Sequence, residues 1–401
     1  MKYDFDRVID RTGTYSMKYD DDGFFHRMVP DFHLDKDTIR LFLADMDFQC
    51  APAITKAMHR VADFSTFGYT TADSEPEYRG SIIRWYKKRH GVDVKPEWII
   101  PSNGALGGVG RTIEAFTDPG DGVIICGPVY SNFTSTIKQF GRKVVNCQML
   151  MPTFGDYQMD WENFEKLCEL EENKVHIICS PVNPIGKVWT TEELVRIADI
   201  CRKNGVVIVC DEIHSDIIRK SEKHLPIIGA VEDLCNIVMV SGLCKSFNLM
   251  GLHCAYVIIP DDELRHKYTM GYATPTPTPF GIAAFIAAYD ESEDWLDELN
   301  EYIDNTIKAV VDYLAEKLPK AKTHIPQGTY ILWIDFSEYE YDPMILEHLI
   351  SKVANVGLQS GMSHDPVNGM FYQRLCVTSP KAVIFEAIDR IAEAFKQHSA
   401  D

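Results

Sequence analysis

The chain has 401 residues, 45% hydrophobic and 25% charged, which are ordinary globular values that leave no room for extensive disorder. That length exceeds what one core usually serves, so two domains, or one large domain with a satellite, are expected. Fifty-nine acidic against 40 basic residues give a formal charge of -19, which repels a phosphate backbone and argues against nucleic acid as a partner. The N-terminus MKYDFDRVIDRTG is charged from its second residue, and no apolar run reaches the length of a signal segment or a membrane span. The eleven cysteines are scattered, with no C-x-x-C pair and no Cys/His cluster at metal-ligand spacing. They read as free thiols of a reducing cytosol, so a cytoplasmic protein without a metal centre and without a membrane partner is expected.

Between about residue 95 and residue 260, short apolar runs alternate with helical patterns: GVIIC, KVVNC, VHIICS, VVIVCDE, NIVMVSG and CAYVIIP. Continuous rather than alternating hydrophobicity marks strands buried on both faces, hence a mostly parallel sheet with helices on each side, an α/β layer. One intervening helix is delimited by a capping box of Thr190 and Glu193, with Leu194, Ile197, Ala198 and Cys201 on one face and Asn204-Gly205 at its end. The Thr/Pro alternation near residue 275 reads as a loop. A long helical stretch comes next, over about 280–318. The rest reads as a smaller α+β unit: strand YILWIDF, a helix from Pro343, strand RLCVTS, and a last helix with Ile384, Ile388, Ile391 and Phe395 in register. The expected division is a large domain over 48–285 and a small one formed by 1–47 with 286–401.

Strand VVIVCDE ends in Asp211, and strand NIVMVSGL is followed by Cys244-Lys245. In a parallel sheet, groups at the carboxyl ends of neighbouring strands meet in one crevice, so Asp211 and Lys245 can face one ligand. A lysine amine that forms an imine and a carboxylate that keeps a ring nitrogen protonated are the pair that pyridoxal phosphate needs. Taken singly, Lys245 also reads as a surface lysine after a strand and Asp211 as a helix N-cap. Three further stretches bear on the choice. Ser102-Asn103-Gly104-Ala105-Leu106 leads into a helix whose first amides can hold a phosphate. Asn183 in CSPVNPIG lies past a strand end, where its amide can donate to a ring oxygen. Tyr130 in GPVYSNF can stack on a planar cofactor, or serve as a core aromatic.

The ordered set GPVY, NPIG, DEIH and the lysine of SGLCKSFNLMGL resembles the fold-type I pyridoxal-phosphate enzymes of the aminotransferase class I/II group, across nearly the whole chain. Within that group, FDRVIDRTGTYSMKYD, LADMDF, TFGYT, DEIHSD, KSFNLMGL and QGTYILWIDF resemble the cystathionine β-lyase branch, the cysteine-S-conjugate β-lyases. The resemblance implies a seven-stranded sheet in the large domain and pyridoxal 5'-phosphate as cofactor. It implies Lys245 as the cofactor lysine and the acid/base at Cα, Asp211 at the pyridinium nitrogen, Asn183 and His214 at the ring oxygen, and Tyr130 on the ring. Gly104, Ala105 and Leu106 would supply phosphate-binding amides, with Ser241 and His253 as further phosphate contacts. Arg374 would clamp the α-carboxylate of a small amino-acid substrate, a bidentate task lysine cannot imitate. Tyr69 would reach the phosphate bound by the other subunit of a homodimer with shared sites.

Several positions depart from the group. Cys244 stands where serine is usual, His253 where arginine or lysine is common, Ser180 and Ile185 break the N-P-x-N-P-T-G run, and QSGMSHDPVNGMFYQ lacks features of the branch. The implied activity is β-elimination on L-cystathionine or other L-cysteine S-conjugates, giving pyruvate, ammonia and a thiol. Transfer of the amino group to an oxo acid uses the same residues, and a binding protein on a degenerate scaffold would have no need to keep them together.

Overall fold

In the computed structural model the described residues are 1–20, 34–70, 76–340 and 342–399. Seven strands form the central sheet: β1 (Ile99–Asn103), β2 (Gly122–Ile125), β3 (Lys143–Asn146), β4 (Asn173–Cys179), β5 (Val207–Asp211), β6 (Ile237–Gly242) and β7 (Cys254–Ile258). Their order is β1-β7-β6-β5-β4-β2-β3, with β2 to β6 parallel and β7 antiparallel to both neighbours. All six apolar runs are strands, as expected, and β1 joins them as a seventh. The middle of the sheet is buried on both faces, Ile208, Val209 and Cys210 having no exposed surface, which is why these strands carry no alternation.

Eight helices matter here: α1 (Pro52–Phe64), α2 (Pro76–Trp85), α3 (Ala105–Phe116), α4 (Ser131–Gln139), α5 (Thr191–Lys203), α6 (Pro279–Glu291), α7 (Glu293–Lys317) and α8 (Lys381–His398). Helix α5 has the expected capping box: the Thr190 hydroxyl accepts from the Glu193 amide at 3.2 Å and the Thr190 amide donates back to the Glu193 carboxylate at 2.9 Å. Helix α3 lies close on the sheet because Gly108 has no side chain; a Cβ there would stand 2.9 Å from Val257 Cγ2. The stretch expected to be helical over about 280–318 is helical, as the two helices α6 and α7. Ser292 breaks it, its hydroxyl turning back to donate to the Ala287 carbonyl at 2.8 Å instead of letting the ladder run on.

A smaller antiparallel sheet completes the architecture: β8 (Ile331–Asp335), β9 (Gln359–Ser360) and β10 (Tyr372–Cys376), in the order β8-β10-β9. The N-terminal pair Ile39–Arg40 runs parallel to Val356–Gly357, which ties the start of the chain to this unit. Helix α8 buries Ile384, Ile388, Ile391 and Phe395 as its periodicity requires. Among the described residues no helix is long and apolar enough to cross a membrane.

Candidate active site

Strands β1, β4, β5 and β6 end at one edge of the sheet with Asn103, Cys179, Asp211 and Gly242. The reversed β7 brings its beginning, not its end, to the same edge, since Cys254 pairs with Asn103 and Ala255 with Gly242. That edge opens into a cavity of about 680 Å3, roofed from the smaller unit by Gln359, Ser360, Ser363 and Arg374 and from the N-terminal part by Phe42, Leu43 and Ala44. Of the residues singled out in the sequence, Gly104, Ala105, Leu106, Tyr130, Asn183, Asp211, His214, Lys245, His253 and Arg374 line it.

Lys245 sits in the short helix after β6 and donates from Nζ to the Ala44 carbonyl at 2.6 Å. Burial lowers its pKa, so that the neutral amine is within closer reach than on an ordinary lysine. Asp211, at the tip of β5, accepts from the Ile213 amide at 3.1 Å. Burial raises its carboxyl to about 6, opposed by the Ile213 amide and by Lys245. Arg374 is buried, donating to Asn183 Oδ1 at 3.2 Å and to the Phe42 carbonyl at 2.8 Å, while its Nε has no partner and no described carboxylate pairs with it. Because arginine only donates, the oxygen of Asn183 must face it, which leaves the Asn183 amide hydrogens for a ligand.

The other wall positions are simpler. His214 Nδ1 is buried without a partner among the described residues; burial, then Lys245 and Arg374, hold the ring neutral, well below the usual histidine value. Tyr130 accepts from Asn132 Nδ2 at 2.7 Å, and burial raises its hydroxyl, opposed by Arg374. Ala105 and Leu106 open α3, where amides have no intrahelical acceptor. Cys244 lines the cavity beside Lys245 with its thiol pushed up to about 11 by burial.

Two expectations need correction. The Gly104 amide donates to the His253 carbonyl at 2.9 Å, because the antiparallel entry into β7 places that carbonyl opposite, so it is not free for a phosphate. Ser241 is not in the cavity: strand alternation turns it to the other face of the sheet, where it pairs across to Tyr256 and donates to the Glu212 carbonyl at 3.3 Å. Tyr69 lies fully exposed outside the cavity of its own chain. Sequence reasoning gave no role to Ala44, although it stands in the LADMDF run, nor to Asn132, Met250, Gln359, Ser360 and Ser363, polar or flexible side chains without a distinctive pattern.

A planar cofactor with a protonatable ring nitrogen, a ring oxygen and an anionic tail fits this set. Among the described residues the buried Asp211 carboxyl has no ion-pair partner and the His214 nitrogen no hydrogen-bond partner, and the first turn of α3 offers amides to an anion. A lysine and a carboxylate at the strand ends of such a sheet are the pair that a pyridoxal-phosphate enzyme needs. The chain belongs to the aminotransferase class I and II family, whose model matches residues 36–391. It is 32% identical to cystathionine β-lyase PatB of Bacillus subtilis, over 97% of this chain and 99% of that protein. Among solved structures it is similar to cystalysin of Treponema denticola, which contains pyridoxal 5'-phosphate, with TM-score 0.91, 30% identity and 99% and 100% of the two chains covered. The C-S lyase of Staphylococcus hominis, bound to pyridoxal phosphate and the inhibitor L-cycloserine, superposes with TM-score 0.92 at 29% identity, over 98% of each chain.

Proposed function

We propose that this chain is a pyridoxal-phosphate-dependent β-lyase that splits the Cβ–S bond of L-cystathionine or a related L-cysteine S-conjugate, releasing pyruvate, ammonia and a thiol. One observation carries the reading: Lys245, Asp211 and Arg374 converge on one cavity, and none of the three is ion-paired among the described residues. Buried ionisable groups left in that state call for a ligand that pairs with them.

Pyridoxal phosphate, when bound, supplies a ring that withdraws electrons from the substrate's Cα. Lys245 holds it and then takes the Cα proton. Asp211 would keep the ring nitrogen protonated, and Asn183 and His214 would hold the ring oxygen. Tyr130, on the cavity wall, would stack on the ring. The Ala105 and Leu106 amides, with His253 beside them, receive the phosphate. Arg374 fixes the α-carboxylate, which orients the Cα–H bond toward Lys245. The experiment is to offer L-cystathionine and S-methyl-L-cysteine with and without an oxo acid. Pyruvate and thiol without any oxo acid support the lyase; strict dependence on an oxo acid, with no thiol released, would make the protein an aminotransferase.

The same reading includes a cytoplasmic homodimer and a two-domain division, 48–285 against 1–47 with 286–401. Exposed Phe64, Phe67 and Tyr69 beside a groove lined by Pro279, Ile282 and Ile286 support a dimer face there. Tyr69 would then serve the partner's cofactor phosphate. Mixed dimers of Lys245→Ala and Tyr69→Phe chains should recover part of the activity both lose; none recovered would mean self-contained sites.

A further inference from the structure

The N-terminal segment reaches the active lysine through a chain of contacts. Lys18, with no exposed surface, pairs with Asp47 at 2.8 Å and lies 3.8 Å from Asp45. Arg11 forks across the same two carboxylates, at 2.8 Å to each, and also donates to the Met46 carbonyl at 3.2 Å. Ser379 donates to Asp47 at 2.6 Å from the other side. Two cations thus balance two anions, and the short run 44–48 between them has little freedom. The opposite flank of that run is held by Asn248, three residues past Lys245: its Oδ1 accepts from the Met46 amide at 2.9 Å and its Nδ2 donates to the Met46 and Phe48 carbonyls at 2.9 and 3.0 Å. Clamped between these supports, the Ala44 carbonyl points at Lys245 and accepts its Nζ at 2.6 Å, with the Tyr330 hydroxyl as a second donor at 3.1 Å.

We propose that the Ala44 carbonyl is the docking point of the Lys245 amine whenever that amine is not bonded to the cofactor, and that Arg11, Lys18, Asp45 and Asp47 are positioning residues that hold the carbonyl there. The proposal rests on Lys245 being the cofactor lysine. In the reaction the lysine must let go of the cofactor when substrate joins it, yet stay within reach of Cα. A flexible four-carbon stem does not do that unaided. A fixed carbonyl limits the amine's wandering at the step in which it takes the Cα proton, and a sub-ångström to ångström error in placement at such a step is costly. The two chain segments that close the contact are far apart in sequence, so the N-terminal segment belongs to the catalytic apparatus rather than only to the fold.

The test compares Arg11→Gln and Lys18→Met with the exposed control Lys2→Ala, whose ion pair to Asp294 lies outside the cluster. In the holoenzyme the two cluster variants should keep the visible cofactor band, lose about tenfold in kcat with KM little changed, and show a larger isotope effect with Cα-deuterated substrate. In the cofactor-free chain, reductive methylation of Lys245 with formaldehyde and cyanoborohydride, read by peptide mass, should run at least about threefold faster once the carbonyl no longer holds the amine. Lys2→Ala should change none of these. Unchanged Lys245 labelling and an unchanged isotope effect in Arg11→Gln, whatever happens to its melting temperature, would overturn the proposal. If Lys18→Met does not fold, the partly exposed Arg11→Gln decides alone. Failure of borohydride to trap the cofactor on Lys245 in the unaltered protein would instead sink the underlying reading of the site.

Discussion

Two groups of buried charge lie within one loop of each other and have opposite character. In the Arg11–Lys18–Asp45–Asp47 cluster every charge meets its opposite: burial works against the charged Lys18, but Asp47 and Asp45 outweigh it and hold its pKa above the ordinary lysine value. Burial likewise opposes the Asp47 carboxylate, and Lys18, Ser379 and Arg11 outweigh it, so its pKa is held low. Across the Ala44 loop, Asp211 and Arg374 are buried and Lys245 is partly buried, none of them ion-paired among the described residues, and there burial prevails, lowering Lys245 and raising Asp211. Charges satisfied within the chain build it; charges left unsatisfied at a cavity wall await a ligand.

The largest expected effect falls on the unpaired side. Lys245→Ala removes both the attachment point and the acid/base, and a positioned acid/base alone is worth about 10²- to 10⁴-fold. Turnover of an S-alkyl cysteine should therefore drop at least that far, and the borohydride-sensitive band should vanish, with little change in melting temperature because no ion pair is broken. Full activity in this variant would remove the basis of the comparison. Lys18→Met should do the reverse to stability. Stripping one partner from a buried pair costs about 3 to 5 kcal/mol, and urea unfolding of the cofactor-free chain should register it. A loss below about 1 kcal/mol would mean that the cluster is not the structural member of the two.

Arg374→Ala comes next. A buried guanidinium that gains an anion only from substrate should show its value in binding, at about 2 to 5 kcal/mol, so KM for α-carboxylate substrates should rise steeply while the cofactor band stays. In the cofactor-free chain the same change should cost little stability, since the Nε is already unpartnered and only the bonds to Asn183 and the Phe42 carbonyl are lost. Loss of cofactor as the main effect would place Arg374 elsewhere in the mechanism.

Much of the fold and site was legible in the residues, and the rest for identifiable reasons was not. The strand-end groups Asp211, Asn183 and Lys245 could be read because continuous apolar runs mark buried strands, and the residues just past such a run emerge at the sheet edge. Gly104, read from the turn before α3, and Ser241, implied by the resemblance alone, escape that rule. The Gly104 amide is taken by a strand of reversed direction, and a one-residue step along β6 puts Ser241 on the far face; neither direction nor pleat phase is written in a continuous apolar run. Ala44 escaped because its part is played by a backbone carbonyl, which every residue possesses. Ser292 divides the helical stretch into α6 and α7, a boundary its sequence does not mark.

The smallest expected effect concerns Asp211 and pH. Its folded-state carboxyl is raised to about 6 from an ordinary value of 3.8, so the folded cofactor-free chain binds the proton more readily than the unfolded chain does. The contribution to stability is therefore fully present below pH 3.8 and is lost as pH rises through about 6, at a size on the order of 3 kcal/mol. Other buried acids obscure the total: Asp47 is depressed and contributes with the opposite sign, while Glu347 is raised by burial. Asp211→Asn isolates the one group, since the amide cannot titrate. Urea unfolding of both cofactor-free proteins should show the Asn variant gaining relative stability between pH 4 and 6 and holding a constant difference above. A bound ring cation beside Asp211 offsets the burial, so in the loaded enzyme the pH-dependent difference should shrink or reverse. Parallel pH curves for the two cofactor-free proteins would show that Asp211 is already compensated within the chain, and would move it to the structural side of the comparison.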